Sequence, residues 1–166
     1  MTAPVRRVSP PRALTARRRV EAYADPVLHG LVAAAVAAPL VPRRGRGPLL
    51  AAVAAGTLID IDHPVAARSL RLEAMLSLDS RPPSHSAVAA LATGTAAAAA
   101  AGPVYGWAAF GGLLSHILRD ASDDTAPTPL LWPWPGSGRC SHGVFLGVAA
   151  ALAAGSWAVS RAAPGR

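Results

Sequence analysis

An apolar run from Leu49 to Ile59 breaks into Asp60-Ile61-Asp62-His63, and Pro64 follows. Proline disfavours the helical conformation at the residue before it, which predicts a helix ending near His63. Carboxylates at a helix C-terminus face the negative end of the dipole, at a cost of about 0.3–1 kcal/mol each. A cation placed there offsets the cost. Two carboxylates with an adjacent imidazole suit a divalent metal ion; an acidic helix end capped by arginines is the alternative. His116 and Asp120 form a second pair, four residues apart and therefore on one helical face. His29, His85 and His142 each open an apolar segment, where the positive dipole end favours the neutral imidazole that binds metals.

The elements that must position these groups are five apolar segments. They run from about Val27 to Val41, Pro48 to Asp62, Ser84 or His85 to Ala101, Val104 to Asp120, and Gly143 to Ser160. Glycine, proline and arginine punctuate them, and no alternating pattern competes with a helical one. The prediction is an all-α, up-and-down bundle of four to five short helices. Short connections require neighbours to alternate in direction. Starts of odd segments and ends of even ones then share one side, which carries every histidine together with Asp60, Asp62 and Asp120. The opposite side offers Arg43, Arg44, Arg46 and Arg161. Ser84 and Ser141, each before a histidine, are candidate N-caps. The Pro64–Pro83 connector is polar, with room for a short surface helix.

Composition sets the surroundings. The chain has 166 residues, 52% hydrophobic and 15% charged, against about 25% charged in an average soluble domain. The segments are apolar on all sides, which predicts helices embedded in a membrane and in contact with its lipid. All 16 basic residues are arginine, and six fall in the first nineteen positions. With only 5% aromatic residues no base-stacking platform is visible, so no specific nucleic-acid partner is predicted. Residues 1–25 read as a disordered Arg/Pro-rich tail or a membrane-surface anchor, and 26–161 as the embedded domain. The lone Cys140 excludes an intrachain disulfide framework.

In order along the chain, these motifs resemble a family of membrane-bound, metal-dependent hydrolases, also described as LexA-binding inner-membrane proteins. The resemblance rests on His29, Asp60-Ile61-Asp62-His63, Arg81-Pro82-Pro83-Ser84-His85-Ser86, Gly112-Leu113-Leu114-Ser115-His116-Ile117-Leu118-Arg119-Asp120 and Leu131-Trp132-Pro133. It spans roughly residues 27 to 135. Ser80 stands where the family often has histidine, Ser84 where it has threonine, and Ile59 where it has proline. The His-x-x-x-Asp element is also similar to one in helical zinc phospholipases C and related nucleases.

The resemblance implies a multi-pass protein of the inner or plasma membrane that activates water at a divalent ion, zinc first. It implies Asp60, Asp62, His63, His85, His116 and Asp120 as ligands, and His29 as a ligand or general base. Arg81 is then placed to hold an anionic group, and a lipid-like phosphoester is the expected substrate. The alternative from another class is a metal-binding or metal-transporting membrane protein without chemistry, whose ligands belong near half-depth of the bilayer.

Overall fold

Thr15 opens the first helix, its hydroxyl accepting from the Arg18 amide at 3.3 Å. The computed structural model describes residues 14–123, 126–136 and 138–162. Helix α1 spans Ala16–Ala37 and so begins well inside the stretch expected to be a tail. Alanine and arginine favour helix there, and Arg17 pairs with Glu21 one turn on, at 2.7 Å. The part of the expected tail before residue 14 lies outside the described residues. His29 is therefore in the middle of α1 rather than near its N-terminus, and dipole bias does not act on it.

A 3₁₀ turn at Ala38–Leu40 and the short α2, Val41–Arg44, lead through Gly45 (φ 69°) into α3, Gly47–Leu58. The predicted stop at His63 is only partly met. The α-helix ends at Leu58, a 3₁₀ turn covers Ile59–Ile61, and α4 restarts at Asp62 and runs to Ala67. Pro64 falls in the first turn of α4, where its missing N–H costs nothing. It therefore starts a helix instead of ending one. Arg68, in the left-handed region (φ 49°), closes α4. The connector then carries α5, Leu72–Met75.

Helix α6 spans Ala87–Ala101, α7 Pro103–Ser122 and α8 His142–Ala162. Ser86, not Ser84, caps α6 by accepting from the Ala89 amide at 3.2 Å. Ser141 caps α8 as expected, accepting from Val144. No β-strand occurs among the described residues; an isolated bridge joins Thr128 and Gly138. The fold is the all-α bundle that the segments predict.

Helix α7 is the centre, packed on α1, α3, α6 and α8. Small residues allow close approach. A methyl on Gly56 would lie 2.9 Å from both the Ala33 methyl and the Gly112 carbonyl oxygen, and one on Gly94 2.7 Å from Phe110 Cβ. Backbones thus touch where α3 and α6 cross α7, the kind of contact that holds helices together in lipid. Leu50, Leu58, Leu91 and Leu146 point outward and are exposed. Three stretches, Ala16–Arg44, Gly47–Ala67 and His142–Ala162, are long and apolar enough to cross a membrane. The 21-residue stretches extend about 31 Å at 1.5 Å per residue, close to the ~30 Å hydrocarbon core.

Candidate metal centre

The close crossing of α3 and α7 sets the first candidate ligand. One turn beyond Gly112, the His116 ring lies over the end of α3 and its Nδ1 is 2.8 Å from the Gly56 carbonyl oxygen. A carbonyl only accepts, so Nδ1 carries the proton and Nε2 turns its lone pair inward. Holding one ring nitrogen this way is how metal-ligating histidines are oriented. Asp120, one turn further along α7, is fully buried beside it.

His85 enters from the connector. Its amide donates to Pro82 O at 2.9 Å, Arg81 N donates to Pro127 O at 3.0 Å, and Ala87 N to Leu130 O at 2.9 Å. The loop after α7 therefore pins the segment that carries both Arg81 and His85. Asp60 comes from the 3₁₀ turn.

Four atoms then converge: His85 Nε2, His116 Nε2, Asp60 Oδ1 and Asp120 Oδ2. The five separations involving a histidine run from 3.2 to 3.6 Å. A tetrahedral shell with bonds of about 2.0–2.1 Å has edges of about 3.3–3.4 Å. His85 and His116 with Asp60, and the same pair with Asp120, are spaced as the ligands of a divalent ion are. Buried polar atoms left over point the same way. Among the described residues, neither carboxylate oxygen of the buried Asp120 has a hydrogen bond of normal geometry. Such atoms are costly unless a cation satisfies them. Burial lowers the pKa of His85, but the Asp60 and Asp62 carboxylates outweigh it and raise the value to about 9.

The remaining predicted residues surround this shell. Asp62 Oδ2 is 3.4 Å from His85 Nδ1 and accepts from the Ser84 hydroxyl. His63 Nδ1 is 2.9 Å from Asp62 Oδ1 and 3.5 Å from Asp60 Oδ1. Its Nε2 is 3.1 Å from Arg81 Nη1. Because a guanidinium only donates, that nitrogen accepts. His29 stacks on His116 with ring centroids 3.8 Å apart, and its Nε2 accepts from Arg119 Nη1 at 2.6 Å. Arg81 Nη2 lies 3.3 Å from Asp120 Oδ1. His142 is exposed at the start of α8 and belongs to no group of metal-ligand spacing among the described residues.

Asp25 and Arg119 are missing from the sequence-based set. Arg119 donates to Asp25, and Asp25 Oδ1 is 3.9 Å from His29 Nε2. The signal for Asp25 was present: it lies one turn before His29 on the same face. A cavity of about 620 Å³ adjoins the cluster, and His63, Arg81, Asp25, Met75, Leu76 and Leu78 are among the residues that line it.

No curated protein and no solved structure matches the chain. The model of one family, the YdjM inner membrane protein, matches residues 25–163, and the chain belongs to that family of the inner membrane, as a multi-pass protein.

Proposed function

We propose that the chain is a membrane-bound, metal-dependent hydrolase acting on a lipid-like phosphoester. The observation that carries this is the four-atom shell of Asp60, His85, His116 and Asp120 next to a cavity that Arg81 reaches. A divalent ion bound there, zinc being the best match to two nitrogens and two oxygens, supplies a Lewis acid that brings the pKa of water to about 7.

The protein's own residues do the rest. Gly56 O and the α3–α7 crossing hold His116 in the ligating tautomer. Asp62, steadied by Ser84, sits behind His85 and orients it; His63 extends this line to Arg81. His29 packs against His116 and stands with Asp60 and His116 at metal-ligand spacing, in keeping with a ligand or supporting role. Arg81, held by His63 and Asp120, is a fixed positive charge on the cavity lining that an anionic group would meet. Met75, Leu76 and Leu78, which also line the cavity, suit the lipid-like part.

Four protein donors are also the pattern of a closed, structural site. That favours, as a second reading, a metal-holding membrane protein without chemistry. The cavity beside the shell favours the first.

The test is hydrolysis of bis(4-nitrophenyl) phosphate and of phospholipid vesicles by the detergent-purified chain with zinc. Activity should vanish on chelation and fall at least ~100-fold in Asp120→Asn. Arg81→Ala should keep the metal and raise KM roughly tenfold or more, since arginine is not a ligand. Bound metal with no ester cleaved would favour the second reading.

A further inference from the structure

A second group of donors adjoins the four-atom shell. His29 Nε2 is 3.9 Å from Asp25 Oδ1 and 3.5 Å from Asp120 Oδ1. One ligand atom from each of the three residues lies within 4.8 Å of the others. Asp120 belongs to both groups: Oδ2 faces His85 and His116, and Oδ1 faces His29. His29 and Asp120 are buried, and both Asp120 oxygens lack hydrogen bonds among the described residues. A carboxylate shared in this way is what a two-ion centre needs.

A protein cation already sits there. Arg119 Nη1 donates to His29 Nε2 at 2.6 Å and also to Asp25, while Arg81 Nη2 lies 3.3 Å from Asp120 Oδ1. Guanidinium stays charged at any working pH. Four carboxylates, Asp25, Asp60, Asp62 and Asp120, face two guanidiniums, which leaves two negative charges. One divalent ion cancels them. A second would leave two positive charges among buried groups, an arrangement that low-dielectric surroundings oppose.

We infer that the centre holds one divalent ion per chain, and that the Arg119 guanidinium is the resident cation of the second position, gripped by Asp25 and His29. This rests on the metal-centre reading above. Arg119 is thus a positioning residue: its donation to Nε2 keeps the His29 proton on Nδ1, the atom 3.9 Å from Asp60 Oδ2.

The experiment counts zinc. The full chain in detergent is loaded with zinc and freed of excess by gel filtration. Metal per chain is then read by mass spectrometry and zinc affinity by calorimetry. Wild type should hold one ion. Arg119→Ala should take up a second, because Asp25 and His29 lose their cation. Arg119→Lys should remain at one, and Arg119→Ala with Asp25→Asn should return to one. Two ions in the wild type overturn the inference whatever the variants do, so the count decides even if Arg119→Ala does not fold. A single ion in Arg119→Ala with wild-type helix content and dispersity overturns it as well. No ion in the wild type refutes the metal centre itself, and this inference with it.

Discussion

Nε2 of His85 and Nε2 of His116 face each other at 3.2 Å. The His116 nitrogen holds a lone pair, because the opposite side of its ring donates to Gly56 O. Two lone pairs at that distance repel, so a proton or a metal ion must lie between them.

Proton and metal compete for that position, which fixes the sign of a pH effect. His85 is raised to about 9, so between about pH 6 and 9 it carries a proton that the ion must displace. Zinc affinity should therefore rise with pH across this range, by up to about tenfold per unit for each proton released. Calorimetry in two buffers of different ionisation enthalpy checks the proton count. An affinity flat from pH 6 to 9 would contradict the assignment.

Asp60 and Asp62 are two residues apart but should not be equivalent. Asp60 is in the four-atom shell, whereas Asp62 stands behind His85. Asp60→Asn should lower zinc affinity by more than ~100-fold, and Asp62→Asn by about 10–100-fold, the range for a residue that orients a ligand. Competition with a chromophoric chelator measures both. Equal losses would place Asp62 among the ligands.

The α3–α7 crossing has no room for a side chain. Gly56→Ala should destabilise the bundle by about 1–3 kcal/mol or more, because the new methyl meets backbone at 2.9 Å. Gly147→Ala is the control, since a methyl there meets nothing within 4 Å and gains up to ~1 kcal/mol of helix propensity. Thermal unfolding in detergent should separate the two. Gly56→Ala should also weaken zinc binding, because the same contact holds His116.

With Leu50, Leu58, Leu91 and Leu146 turned outward, the chain should stay with membranes through carbonate washing. Recovery as a detergent-free soluble monomer would contradict the spans.

Periodicity and punctuation in the sequence determined the all-α class, the order of the helices and which histidines and aspartates share one side. Those follow from local rules: apolar runs make helices, short connections make neighbours antiparallel, and alternation sorts segment ends into two sides. His29, Asp60, Asp62, His63, His85, His116 and Asp120 were placed together on that basis, and they do meet. Which atoms touch was decided only in three dimensions. Gly56 against Gly112 brings α3 within reach of His116, and the 3₁₀ turn at Ile59–Ile61 swings Asp60 inward. The loop carbonyls of Pro127 and Leu130 seat the segment that carries Arg81 and His85. His142 shares a side with the others by topology yet stands exposed. Asp25 and Arg119 join the cluster through a contact across 94 positions of sequence. Separations of a few tenths of an ångström decide between a ligand and its neighbour, and they depend on how backbones pack, which no local pattern encodes.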